Sequence, residues 1–301
     1  MSRGYRTLST TQIEAFLEHG FIVLKDCFPR ELAEEWTAFA YKRLGYDPGD
    51  ATTWEEPRLH LPAMNRVSIR EIAPKAFDAI CDLVGGEDRL ANPDPGWGDG
   101  FVINSFEADS PWQPPSPAVQ GWHKDGDFFR HFLDSPEQGL LTIVIWSDIH
   151  ARSGGTFIAG DSVQHVAKRL YEHPEGLLSG DFTGLIEKSQ EFTELTGSAG
   201  DFVLLHPFIL HSASRNPSGR ARFITNPPVS LNQPMNFDRD DPDDFSPVEL
   251  AVLRGLGRER LDFQITAPRE RLVADRVKRQ QEMLDEQKVR LASLGPTLDD
   301  S

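Results

Sequence analysis

Apolar residues in this chain recur at two spacings, and each change of spacing marks a boundary. From Thr11 to Gly20 the spacing is helical, with Thr11 and Glu14 offering a capping box and Gly20 a left-handed stop. Phe21-Ile22-Val23-Leu24 is an unbroken apolar run of strand length. A second helix is expected from Pro29, with Leu32, Trp36, Phe39 and Ala40 on one stripe. Residues 46–66, rich in Pro, Asp and Trp, read as loop, and Ala76 to Val84 reads as a helix stopped by Gly85-Gly86. Phe101 to Phe106 is expected as a strand, followed by a proline-rich excursion from Pro111 to Pro117.

Leu140 to Trp146 is the strongest strand signal, rich in β-branched residues and interrupted only by Thr142. Ser153-Gly154-Gly155 turns into a further strand, Thr156 to Ala159, and Asp161-Ser162 then caps a helix through Tyr171. Phe202-Val203-Leu204-Leu205 leads to His206 and His211, and Arg222 to Thr225 is another strand. Short strands separated by Gly, Pro and Asp turns predict a mainly β sandwich or barrel with flanking helices rather than a parallel sheet.

After residue 235 the character changes. Asp238 to Asp244 is an acidic linker, and Ser246-Pro247-Val248-Glu249 combines a capping box with proline at the first helical position. Arg269 to Leu294 is expected as a charged, mildly basic helix with Val273, Val277, Leu284, Leu291 and Leu294 on one stripe. That helix is expected to pack on its own domain; a dimerisation or partner helix is the alternative. The organisation expected is one domain over 1–235, with 236–301 as linker and helical extension packed on it.

Composition narrows the partners. A net charge of −16 over 301 residues argues against a general nucleic-acid binder or an anionic membrane surface. Cys27 and Cys81 are too few for a disulfide framework or a zinc ribbon. Met1 to Arg6 lacks an apolar signal region, and no apolar run approaches membrane-spanning length. A cytoplasmic protein acting on a small molecule is expected.

The chemistry starts from Gly121-Trp122-His123-Lys124-Asp125-Gly126. On a strand His123 and Asp125 share a face. With His211 from a distant strand they make a two-histidine, one-carboxylate set that binds Fe(II) and leaves positions open for a cosubstrate and O2. An exposed strand whose His and Asp merely share a face is the alternative. Arg222 lies beyond an Asn216-Pro217-Ser218-Gly219 turn, on a strand that should return beside His211. From there it can reach the same cavity and form a bidentate pair with a carboxylate. A keto acid with a second carboxylate would use both devices. Thr142 could donate to that carboxylate or be an ordinary core residue.

These motifs resemble the phytanoyl-CoA dioxygenase family of Fe(II)- and 2-oxoglutarate-dependent oxygenases, from the first helix to about Val229. The resemblance rests on Trp122 to Asp125, on Ser153 to Ser162, and on Gly200 to Arg222. It implies a double-stranded β-helix (jelly roll, cupin-like) core, with His123, Asp125 and His211 on iron and Arg222 on the far carboxylate of 2-oxoglutarate. Asn104 occupies a position where members often place a polar cosubstrate contact. Because Asp125 is present, the family logic favours hydroxylation or a related oxidation over halogenation. Asp161-Ser162-Val163 departs from the usual Gly-Ser-His, and Ala213 stands where Ser is common. Trp122, Phe128, Phe129 and His131 are the expected substrate contacts near the pocket mouth. His206 is expected to be a core or capping histidine, and His19, His60, His150, His165 and His173 surface or structural.

Overall fold

Gly20 ends α1 (Thr10–His19) in the left-handed region, φ 71°, and turns the chain straight into β1 (Phe21–Leu24). A Cβ there would meet Val163 Cγ2 at 2.8 Å, so the turn is tight on its packing side as well. The cap at the other end belongs to Ser9 and Gln12, not to Thr11 and Glu14, because Thr11 already lies inside the helix. The computed structural model describes residues 4–107, 111–274 and 276–294. Residues 1–3 and 295–301, parts of the expected N-terminus and C-terminal extension, lie outside the described residues.

The chain continues through α2 (Arg30–Leu44), β2 (Arg58–His60), β3 (Arg66–Ser68), α3 (Ile69–Ile72), α4 (Pro74–Val84), β4 (Gly96–Gly98) and β5 (Val102–Asn104). It then forms β6 (Leu141–Ile145), β7 (Thr156–Ala159), α5 (Ser162–Tyr171), β8 (Phe192–Glu194), β9 (Phe202–Leu205), β10 (Leu210–Ala213) and β11 (Arg222–Thr225). Two helices follow, α6 (Pro247–Leu256) and α7 (Arg276–Ser293). A six-stranded sheet runs β1-β9-β6-β11-β5-β2 and a three-stranded sheet runs β10-β7-β8. Every pairing is antiparallel. These sheets are the two walls of a double-stranded β-helix; β3 and β4 form a separate ribbon. The segment expected as loop over 46–66 therefore contributes an edge strand, β2, to the main sheet.

Aromatic side chains fill the space between the main sheet and α2. Trp36 stacks on Trp146 at 4.8 Å, with Phe28, Trp97 and Phe101 packed around Trp146. The Trp146 Nε1–H donates to Thr225 Oγ1 (3.0 Å), so the buried indole leaves no polar atom unpaired. Among the described residues no helix is long and apolar enough to cross a membrane.

The C-terminal stretch departs from expectation. Residues 269–274 are not helical: Arg130 N donates to Glu270 O (2.9 Å) and Leu272 N to Phe128 O (2.8 Å). Pairing with the 128–130 loop satisfies backbone groups on both sides, and α7 begins only at Arg276. The apolar stripe is the docking face only in part: Leu284 and Leu291 are half-buried on either side of Gln287. Val273 is 87% exposed, and Val277 and Leu294 are also exposed, while Gln287 is buried against α2. The cause is Arg43, fully buried in α2. It pairs with Asp99 at 3.1 Å and still has donors to satisfy. Gln287 Oε1 accepts from its Nε (2.9 Å) and the Pro62 carbonyl from Nη2.

Glu249 anchors α6 onto the body. It accepts both Nη groups of Arg89 (2.6 and 3.1 Å), Arg239 Nη2, and the amides of Asn236 and Ser246. Burial alone would raise its pKa, but Arg89 and these bonds hold it down to about 2. Glu249→Ala is expected to lower stability to urea unfolding by about 3 kcal/mol, because it leaves Arg89 without its partner. In the wild type this contribution is complete above the ordinary carboxyl value of 4.5 and is lost as pH falls toward about 2. Urea midpoints measured from pH 6 down to pH 2.5 should therefore converge for the two proteins.

Candidate metal centre

His123 lies outside any named strand. Its backbone nevertheless exchanges both amide–carbonyl bonds with His211 at 3.0 Å, an isolated antiparallel bridge beside β10. Gly121 (φ 89°) and Gly126 (φ 119°) bend the loop on either side of it. A Cβ at Gly126 would lie 2.5 Å from His131 Cε1, so only glycine allows this close return. The bridge directs His123, Asp125 and His211 to one point. Their candidate ligand atoms all lie within 4.8 Å of one another, with Asp125 Oδ1 3.3 Å from His123 Nε2 and 3.4 Å from His211 Nε2.

The atoms behind the ligands fix their chemistry. His123 Nδ1 sits 2.7 Å from Gly121 O and His211 Nδ1 3.4 Å from Ile209 O, which turns both Nε2 atoms inward, where a metal would take the place of the protons that otherwise bond Asp125. Asn226 Nδ2 donates to Asp125 Oδ2 at 3.1 Å, leaving Oδ1 toward the histidines. Burial opposes the Asp125 charge, yet the His211 charge and hydrogen bonds from both imidazoles hold its pKa well below the usual range. For His123, burial acts downward and is outweighed by Asp125, so its pKa is raised. Two imidazole nitrogens and one carboxylate oxygen, converging and oriented from behind, fit Fe(II).

Arg222 is buried on the neighbouring sheet, and among the described residues no carboxylate pairs with it. Its Nε donates to Gly154 O (3.0 Å), while burial and then the Arg58 charge push its pKa down to about 9. Asn104, its register partner, donates from Nδ2 to Gly154 O (3.1 Å) and Ser214 O (2.8 Å). The Asn104 Oδ1 is buried with no partner in the structure. Thr142 is buried on β6, its hydroxyl donating to Pro227 O at 2.5 Å.

A family model described as phytanoyl-CoA dioxygenase (PhyH) matches residues 16–224. The chain belongs to the phytanoyl-CoA dioxygenase family. It is an Fe(II)- and 2-oxoglutarate-dependent enzyme, and His123, Asp125 and His211 are positioned to bind the metal. Among solved structures it is similar to the epimerase SnoN in complex with Fe3+, alpha ketoglutarate and nogalamycin RO (17% identity, 88% of this chain and 96% of that one, TM-score 0.46). It is also similar to HygX from Streptomyces hygroscopicus with nickel and 2-oxoglutarate bound (16%, 73% and 85%, TM-score 0.40). A third is AviO1 from Streptomyces viridochromogenes Tue57 (16%, 76% and 96%, TM-score 0.43). No curated protein sequence matches the chain.

In this family member a cleft of about 480 Å³ opens onto the triad, lined by His60, His123, Asp125, Phe128, Asn226 and Arg276 among others. Of the four residues expected as substrate contacts, Phe128 lines it. Trp122 instead packs outward on Phe157 and Phe192, its Nε1–H on Ser116 O (2.9 Å). Phe129 and His131 are completely buried beneath the loop. His131 Nδ1 lies 2.8 Å from Lys124 Nζ in a pocket of Phe129, Phe182 and Phe208. Burial brings Lys124 down to about 7; burial and then Lys124 take His131 to about 2. This pair underpins the ligand loop, with Lys124 bordering the cleft and His131 buried behind it. His206 is a core histidine, its Nδ1 accepting from Phe208 N.

His60, Asn226 and Arg276 are among the cleft residues that escaped the sequence reading. His60, expected to be surface or structural, reaches the cleft because β2 is a strand, and its pKa is lowered by burial and then Arg276. Asn226 lies four residues after Arg222, so a β11 extended by one residue puts both on one face; that spacing was the available signal. Arg276 carried none. It arrives on the first turn of α7, gripped by Asp127 through Nε and Nη2 at 2.9 Å each.

Asn226→Ala is expected to weaken Fe(II) or Mn(II) binding by about 10- to 100-fold, because Asp125 loses its orienting donor. His211→Ala should abolish tight binding. Equilibrium metal titration, with circular dichroism to verify the fold, checks both.

Proposed function

We propose that this enzyme oxidises a C–H bond of a small-molecule substrate, in the first place by hydroxylation, and converts 2-oxoglutarate and O2 to succinate and CO2. One oxygen atom then goes to the substrate and the other to succinate, which balances the reaction. The observation that carries this reading is Arg222: a buried guanidinium with no carboxylate partner among the described residues, on the sheet facing the one that carries His211. Burying a charge without a counter-ion is costly, so the site is built for a ligand that brings one.

In this reading His123, Asp125 and His211 hold the iron, and Arg222 pairs with the far carboxylate of 2-oxoglutarate. When bound, iron supplies the redox chemistry, activating oxygen with electrons from the cosubstrate. Asn104 serves at one remove: its bonds to the Gly154 and Ser214 carbonyls fix the turn whose Gly154 carbonyl holds Arg222 Nε. Thr142 would reach the cosubstrate only by releasing Pro227 O. The substrate would enter the cleft beside Phe128, with His60 and Arg276 as further walls. We take 1–235 as the oxygenase unit and 236–301 as an extension that completes the cleft, in a cytoplasmic enzyme.

The test is succinate formation from 2-oxoglutarate by protein supplied with Fe(II) and O2, with no added substrate. Slow uncoupled turnover is expected in the wild type and none in His123→Ala. Arg222→Ala should raise the apparent KM for 2-oxoglutarate by at least about tenfold. If metal loads and 2-oxoglutarate does not bind, the cosubstrate assignment falls, and Arg222 belongs to a carboxylate of the substrate itself.

A further inference from the structure

Resting on the cosubstrate reading above, we infer that Arg58 is a second guanidinium for the distal carboxylate of 2-oxoglutarate, acting together with Arg222. Arg58 on β2, Asn104 on β5 and Arg222 on β11 stand in one register row across three neighbouring strands. Residues directly opposite in antiparallel pairs present their side chains on the same face. Two guanidinium groups are thus set on one face of the sheet with only a neutral carboxamide between them. Their proximity is visible in Arg222, on which Arg58 acts as the one named charge.

Like charges on one face repel, and the protein answers only one of them. Arg58 is met by Glu107, through Nε alone (3.2 Å to Oε1). Its Nη1–Nη2 edge has no partner among the described residues, and Arg222 has no carboxylate at all. The planar fork of arginine is suited to bridging carboxylate oxygens from that free edge. One anion shared by both forks removes the repulsion and satisfies both sets of donors.

Access is also in place. Arg58 lines a cleft of about 810 Å³ together with Gln120, Ala213 and Arg215, separate in its lining from the one that holds His123 and Asp125. Ala213 lies two residues from His211 on β10, hence on the same face. Arg58 is half-exposed at that cleft, and Arg222, two strands along the same register row, is buried.

The experiment is equilibrium binding of 2-oxoglutarate to full-length protein loaded with Mn(II), followed by calorimetry, for wild type, Arg58→Gln and Arg58→Lys. Arg58→Gln is expected to weaken binding about tenfold, with metal stoichiometry and melting temperature unchanged. Arg58→Lys should recover part of the loss, because it keeps the charge and gives up the fork. Binding by Arg58→Gln within about twofold of wild type would overturn the inference and leave the cosubstrate reading intact. Loss of bound metal in the same variant would mark a structural role and overturn it as well. A metal-loaded wild type that does not bind 2-oxoglutarate would take down the cosubstrate reading, and this inference with it.

Discussion

The pair of backbone hydrogen bonds between His123 and His211 is the constraint from which the rest of the site follows. It joins a loop to β10 at the point where both histidine ligands originate. Backbone bonds of this kind set two Cα positions and the side-chain directions together, which a side-chain contact cannot do. Asp125 then needs only the bend at Gly126 to converge on the same point. The return at Gly126 packs against Phe129 and His131, and this explains why those two side chains are buried and unavailable to a ligand.

A second constraint is electrostatic. The main sheet carries Arg222 in its interior and leaves it without an acid, while Gly154, bent to φ 84°, presents a carbonyl to it. A Cβ at Gly154 would lie 2.8 Å from Asn104 Nδ2, so the turn, the amide and the guanidinium form one fitted unit. The triad lies across the fold on the smaller sheet and its bridge. The two sheets of the β-helix therefore carry different chemistry: the smaller sheet and its bridge carry the metal-ligand set, and the larger a buried guanidinium.

Much of this was legible from residue order, for identifiable reasons. His211 and Arg222 could be read because apolar strand runs carry them and the turns between are marked by Gly, Asn and Pro. His123 and Asp125, read as sharing a strand face, lie instead on a loop joined to β10 by an isolated bridge. Strands β6 and β9 announced themselves by β-branched and apolar runs. What could not be read depends on contacts distant in sequence. His60 sits in a stretch of loop-like composition, and its edge strand exists only because β5 offers a partner. The face that α7 buries was read only in part, through Leu284 and Leu291, because apolar periodicity is a guide only where the partner surface is apolar. Here the partner is the Arg43–Asp99 pair, which calls for a polar residue, Gln287.

Residues 270–274 and 276–279 lie beyond the span that the family model matches, yet Arg276 among them walls the metal cleft. They are fastened by two backbone bonds and by ion pairs of half-exposed side chains, Arg276 with Asp127, Arg279 with Glu56 and Arg130 with Glu270. Such ties are individually weak and screened by salt, whereas the sheets beneath are held by buried apolar packing that salt does not screen. The cleft mouth and the β-helix thus belong to different regimes of stability. Local opening of the wall costs far less than global unfolding, and ionic strength sets how often it occurs.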